Sequence, residues 1–271
     1  MKKFLSTLAL FLAFAGACRA QTQDYIQLTD NGWEAELQIA VESFTKDGIT
    51  VDLYGVVHMA DEEYYDSVQV DLDRYDTVLY EGIKQGTKPN RGTVGLNLLQ
   101  KGMARILGLE FQKDGIAYIG TNMVHADIDV EALEESLDGQ KISPLQKMFS
   151  PERIKRLKPI FDAMGPFLEE VIDGLLAQQP ELRNQLKLEF AKELAGTDIS
   201  KALPEKMKKA IIDDRNEIVM GVLAEQLKNP KKKRIAIFYG AGHNPDFAQR
   251  LLAKGWTRGQ KVWKTAWRIS R

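Results

Sequence analysis

From Trp33 to Phe44 apolar and polar residues alternate, with Ala35, Leu37, Ile39 and Val41 on one side, and this period of two predicts a strand. Lys46-Asp47-Gly48 is an Asp-Gly turn signal, so the chain is expected to return as a hairpin into a strand carrying Ile49, Val51 and Leu53. Gly55 closes that strand, since a residue without Cβ lets the chain turn and lets other groups approach the backbone. His58 stands three residues later. From Asp61 to Arg74 the period changes: Tyr64, Val68 and Leu72 recur at four-residue steps, which predicts a helix over the sheet. Thr77-Val78-Leu79-Tyr80 is a short apolar run, read as a strand that ends at Glu81-Gly82. A strand–helix–strand unit of this length implies a right-handed crossover between parallel strands. His58 and Glu81 are therefore expected on one sheet edge, the edge where α/β sheets place ligands.

The pattern recurs downstream. Arg234 to Tyr239 is a further apolar strand, ending in Gly240-Ala241-Gly242-His243, and Pro245 to Ala253 opens a helix. Between the halves, Val94 to Leu107 reads as an apolar helix stopped by Gly108, and Ile116 to Ile119 as a strand. Asp129 reads as the N-cap of a helix through Leu137. Lys84 to Thr93 is a Gly-rich and basic loop. The stretch from about 150 to 229 is helical, punctuated by Pro151, Pro159, Pro166, Pro180 and Pro204. The expected fold is α/β: a central mixed sheet with helices packed around it and a helical insertion between two Gly-x-x-His halves. That insertion is either a lid or wall for the site or a set of ordinary packing helices.

A length of 271 residues fits one domain, 21–271, after a leader. With 37 basic and 38 acidic residues and no basic patch, nothing in the charge pattern calls for nucleic acid. The run Lys231-Lys232-Lys233-Arg234 reads as a solvated loop. Residues 1–20 read as an export signal: Lys2 and Lys3, the apolar Phe4 to Phe14, then small residues to Ala20. The apolar run is shorter than the roughly twenty residues of a membrane span. Cleavage after Ala20 gives a periplasmic or secreted protein. Ala15-Gly16-Ala17-Cys18 also resembles a lipobox, which would anchor the chain to a membrane through a lipid on Cys18. Cys18 is the only cysteine, so a metal in the mature domain would rest on imidazole and carboxylate.

The chain has three histidines, His58, His125 and His243, each with an aspartate within three residues: Asp61, Asp127 and Asp246. His58 and His243 close matching strands, with the strand-end Glu81 between them in sequence. His125 reads as a third ligand or substrate contact, with Asp127 beside it, or else as a loop residue. Arg215 falls among Met207, Ile211, Ile218 and Val222 on one helical stripe. A guanidinium on an inward face needs a partner, so it either binds a carboxylate or developing oxyanion in the site or forms a surface pair with nearby acids. Two imidazoles and a carboxylate suit a divalent metal such as Mn²⁺, Co²⁺ or Zn²⁺ that activates water. Glu81 would be its ligand or the general base. The metal-free alternative has His58 as base with Glu81 orienting it.

Gly55-Val56-Val57-His58, Glu81 within Leu79-Tyr80-Glu81-Gly82, Asp214-Arg215-Asn216 and Gly240-Ala241-Gly242-His243 together resemble the TraB/PrgY/GumN family, which includes the Tiki proteases. The resemblance runs from about Gly32 to Arg268 and extends to erythromycin esterase-like and ChaN-like proteins. It implies a metal-dependent, peptidase-like hydrolase acting on a peptide or small molecule, with Arg215 among its site residues. It also implies a contrasting class, a binding protein, since ChaN-like members bind haem iron and PrgY-like members act on peptide signals. In that case Tyr54, Tyr64 or Tyr65 would serve as an axial haem ligand.

Overall fold

The computed structural model describes residues 24–82, 100–129, 174, 179–198 and 203–270. The expected export signal, Cys18, the 84–93 loop, the helix expected after Asp129 and residues 150–173 of the insertion lie outside the described residues.

The alternating stretch forms a long strand, β2 (Glu34–Lys46), after a short β1 (Ile26–Asp30). Asp47 and Gly48 both adopt positive φ, 50° and 73°, the left-handed pair that a two-residue hairpin turn demands. The chain returns as β3 (Ile49–Val56), antiparallel to β2 from Lys46↔Ile49 to Val41↔Tyr54. After β4 (Met59–Ala60) comes α1 (Glu62–Leu72), which buries Tyr64, Tyr65, Val68 and Leu72, and then β5 (Thr77–Tyr80). The chain continues through residues 100–107 in helix, β6 (Glu110–Phe111), the single turn α2 (Gln112–Gly115) and β7 (Met123–His125). Residues 116–119 are turn and coil; the strand expected there begins instead at Met123, beyond the Gly120-Thr121-Asn122 bend.

The described part of the insertion contains α3 (Pro180–Gly196) and a continuous helical rod. The rod consists of α4 (Glu205–Lys208), a π-helical turn (Lys209–Asp213) and α5 (Asp214–Gln226). These helices pack on the sheet: α3 against β1, β2 and the last strand, and α5 against β5. The chain ends with β8 (Arg234–Gly240), a 3-10 turn (Ala241–His243), α6 (Asn244–Ala253) and β9 (Thr257–Ser270).

The sheet is mixed, in keeping with the α/β expectation. Its order is β1-β2-β3-β8-β5-β7, with β9 on β2. β2 pairs antiparallel with β1, β3 and β9, while β3, β8, β5 and β7 are mutually parallel neighbours. The parallel strands are covered on both faces, and β3 and β8 accordingly read as continuous buried runs, Val51–Val56 and Ile235–Tyr239. β3 and β5 are parallel as expected, but they are not neighbours, because β8 lies between them.

Gly55 is needed at its position because a Cβ there would stand 3.0 Å from Ala40 O, from Asn244 Nδ2 and from Ile39 Cγ2. All three are fixed by backbone or by full burial, so they cannot yield cheaply. Gly55→Ala should cost about 1–3 kcal/mol, the usual range for overpacking. A urea titration should show a lower midpoint at unchanged slope, and a wild-type midpoint would show that the contact relaxes freely.

Candidate functional site

Three neighbouring parallel strands deliver the site. β3 leads to His58, β8 to His243 and β5 to Glu81, so all three residues follow strand ends on one edge, and β7 brings His125 to the same edge. The register is Val56↔Gly240, Tyr80↔Phe238 and Tyr80↔His125. Glu81 and His243 meet over Gly240: a Cβ built there would lie 3.1 Å from Glu81 Oε2 and 3.7 Å from His243 Cδ2. Glycine keeps that space open.

Beneath this edge lies a buried charge cluster. Arg215 is 5% exposed. Its Nε and Nη2 donate to the two oxygens of Asp127 at 2.8 and 2.7 Å, and Nη2 also donates to Glu81 Oε1 at 2.7 Å. Its guanidinium lies over the Tyr239 ring, 5.7 Å from the centroid. The other Glu81 oxygen accepts Gly240 N–H at 2.6 Å, and Asp127 Oδ2 accepts Gly82 N–H at 2.9 Å. Burial alone would raise the Glu81 pKa, but Arg215 above all, then His243 and His58 when protonated, and the Gly240 N–H hold it well below the usual carboxylate range. Glu81 is therefore a fixed anion and a weak proton acceptor.

A π-helical turn immediately precedes the helix from which Arg215 points inward. It adds a residue to the rod and rotates α5 against the preceding turn. The expected stripe through Ile218 is broken, since Ile218 is 36% exposed, and the buried face instead carries Arg215, Asn216, Val219, Met220 and Leu223. Arg215 thus shares the buried face of this helix with its neighbour Asn216.

The aspartates beside the histidines in sequence do not orient them. Asp61 binds Lys187 Nζ at 2.6 Å and Arg268 N–H at 2.6 Å, Asp127 holds Arg215, and Asp246 accepts from Asn216 and Arg250. Side-chain amides take that place. Asn216 Nδ2 donates to His243 O at 3.2 Å and to Asp246 Oδ2 at 2.8 Å, which turns its Oδ1 toward His243 Nδ1 at 2.7 Å. An oxygen there requires a proton on Nδ1, so Nε2 of His243 carries the lone pair. Tyr239 and Phe247 pack on this ring, at 5.1 and 6.2 Å between centroids. Burial pushes the His243 pKa down to about 4, so the imidazole is neutral. His58, exposed at the rim, has Nδ1 3.0 Å from Gln112 Oε1, while Gln112 Nε2 donates to Tyr118 OH at 2.9 Å. The short β4–β6 ladder places Gln112 there, and its backbone N–H also donates to His58 O at 2.9 Å.

His125 turns to the backbone: its Nε2 meets Gly82 O, and its ring packs edge-on to Tyr80 at 5.6 Å. His125 thus spends Nε2 on Gly82 O, and Asp127 holds Arg215 and Gly82 N–H. Gln112 and Tyr118 carried no signal in the sequence, because they sit in a turn region without periodicity. Asn216 had one, as the neighbour of Arg215. Asn244, 0% exposed, has both side-chain polar atoms without a partner among the described residues.

Among the described residues no three His, Cys, Asp or Glu side chains form a metal-holding group. Each Glu81 oxygen already accepts one hydrogen bond, Oε1 from Arg215 Nη2 and Oε2 from Gly240 N–H. The tyrosines considered as haem ligands are core residues with occupied hydroxyls: Tyr54 donates to Asp71, Tyr64 to Gly55 O and Tyr65 to Val57 O. No known-family model, curated protein or solved structure matches the chain.

Two outcomes follow. Arg215→Met leaves Glu81 and Asp127 buried without their cation and should cost about 3–5 kcal/mol in urea unfolding, the range for breaking a buried pair; a loss below about 1 kcal/mol, the range of surface pairs, would show that the cluster is solvated. The second concerns pH. As pH falls from 6.5 to about 4 the unfolded chain protonates its histidine while His243 stays neutral, so stability falls across that window. Glu81 adds a further loss only as pH drops below 4.5, toward its depressed folded value. His243→Gln should flatten the first limb of the stability–pH curve and leave the second.

Proposed function

We propose that this is an exported hydrolase of the TraB/GumN kind, cleaving a peptide or ester carbonyl with imidazole chemistry at the strand-end edge. The observation that carries the reading is the pairing of a neutral His243, its Nε2 lone pair fixed by Asn216, with the permanently charged Glu81 across Gly240. His58, the imidazole open to solvent, takes a proton from water as the water oxygen bonds to the carbonyl carbon. The carbonyl π pair moves to oxygen. When the tetrahedral species collapses, the bond to the leaving nitrogen or oxygen breaks and the imidazolium returns its proton to that atom. Glu81 stabilises the transient imidazolium electrostatically, and Arg215 keeps Glu81 ionised and in place. His243, with a pKa of about 4, is too weak a base for the first step and instead accepts a hydrogen bond from the attacking water.

His58→Ala and His243→Ala should each lower kcat by at least about 100-fold on p-nitrophenyl esters or fluorogenic peptides. His58→Ala should keep the wild-type fold by circular dichroism, since a rim group contributes little packing; for the enclosed His243, His243→Gln, which refills most of its space, is assayed beside His243→Ala. Wild-type protein treated with EDTA should keep its activity. Loss of turnover on chelation, restored by Zn²⁺ or Mn²⁺, would assign the reaction to a cation on the two imidazoles. Unimpaired histidine variants would remove the hydrolytic reading.

A further inference from the structure

Tyr118 lies in the turn after α2, half-buried, with its ring 5.0 Å from that of Tyr80, the residue before Glu81. Its hydroxyl accepts a hydrogen bond from Gln112 Nε2 at 2.9 Å, and the same amide faces His58 Nδ1 through its oxygen at 3.0 Å. The phenol is thus two hydrogen bonds from the imidazole assigned as base. Because the hydroxyl oxygen is the acceptor in the Gln112 bond, its own proton remains available, and among the described residues it meets no protein acceptor. Burial raises the Tyr118 pKa, the Gln112 bond partly offsets this, and the nearby Glu81 carboxylate raises it again, so the group stays protonated. Gln112 is buried and tied to His58 through the backbone as well, which fixes the direction of the hydroxyl.

The charge balance of the site gives this proton a use. Arg215 is committed to Glu81 and Asp127, so one cation faces two carboxylates. A substrate oxygen gaining negative charge beside that cluster needs a donor, and Arg215 is spent.

Resting on the hydrolase reading above, we propose that Tyr118 is a further substrate-contacting residue, donating its hydroxyl hydrogen bond to the carbonyl oxygen of the scissile peptide or ester, with Gln112 as its positioning residue. The proton stays on Tyr118; the bond shortens as the oxygen becomes an oxyanion and relaxes when the carbonyl reforms. The excess of carboxylate in the cluster also selects the substrate: groups flanking the scissile carbonyl are neutral or cationic, because a carboxylate there meets the Glu81 field.

Tyr118→Phe keeps the ring and its Tyr80 contact and removes the O–H, and with it the acceptor of the Gln112 Nε2 bond. Assayed on p-nitrophenyl acetate and on neutral fluorogenic peptides, it should lose about 100-fold in kcat, as expected for one oxyanion donor, with KM within about threefold of wild type. Gln112→Ala should produce a fall of the same kind, and the double variant should be little worse than either single one. Urea unfolding of Tyr118→Phe should stay cooperative at a somewhat lower midpoint, since Gln112 Nε2 loses its acceptor, and kcat compared far below that midpoint separates chemistry from folding. A kcat within about twofold of wild type, or a loss confined to KM, overturns the assignment while leaving the hydrolase reading intact. A wild-type protein that hydrolyses none of these substrates removes the hydrolase reading and this proposal together.

Discussion

A guanidinium held inside a protein between two carboxylates is the constraint on which the rest of this structure depends. Arg215 cannot be buried unpaired, and neither can Glu81 or Asp127. The three residues come from α5, from the end of β5 and from the segment after β7, so their mutual satisfaction fixes how the insertion meets the sheet. The backbone completes the arrangement: Gly240 N–H and Gly82 N–H each cap a carboxylate oxygen that Arg215 does not fully satisfy. Such a cluster contributes little net stability over an apolar core of equal volume, but it penalises any docking of α5 that leaves a charge exposed to the interior. Its consequence for chemistry is a fixed negative charge at the strand-end edge that does not titrate near neutrality.

The histidines are tuned against that charge by amides. An aspartate on Nδ1 would strengthen each imidazole as a base and hold positive charge on it. Asn216 and Gln112 fix ring orientation without adding charge, and for His243 the aromatic packing of Tyr239 and Phe247 lowers basicity further. The edge therefore presents two unlike imidazoles, one neutral and enclosed, the other at the rim. In the proposed reaction that inequality lets one group transfer protons while the other positions water, and burial is its largest cause.

Local patterns in the sequence revealed the elements, and distances along the chain concealed their neighbours. The alternation in 33–44, the Asp47-Gly48 turn and the four-residue steps of Tyr64, Val68 and Leu72 all report single-element physics, and they became β2, its hairpin and α1. The placement of β8 between β3 and β5 is non-local and left no trace in periodicity. The inward aim of Arg215 was legible as a charge among apolar positions, yet the stripe drawn for it missed the buried face, which takes in Asn216, Val219 and Met220 and leaves Ile218 exposed. Nearness in sequence misled at Asp61 and Asp246, whose carboxylates turn to Lys187 and Arg250, and Gln112 reached His58 from over fifty positions away.

The central claim is that a neutral His243, protonated on Nδ1, stands beside an ionised Glu81. Long-range ¹H–¹⁵N correlation spectra of the imidazoles, recorded through an acid titration of the folded protein, test it directly. The account predicts a pyrrole-like Nδ1 and a pyridine-like Nε2 for His243, persisting well below pH 6.5 and titrating near 4. A His243 protonated on Nε2, or one that becomes cationic at or above pH 6.5, would contradict it.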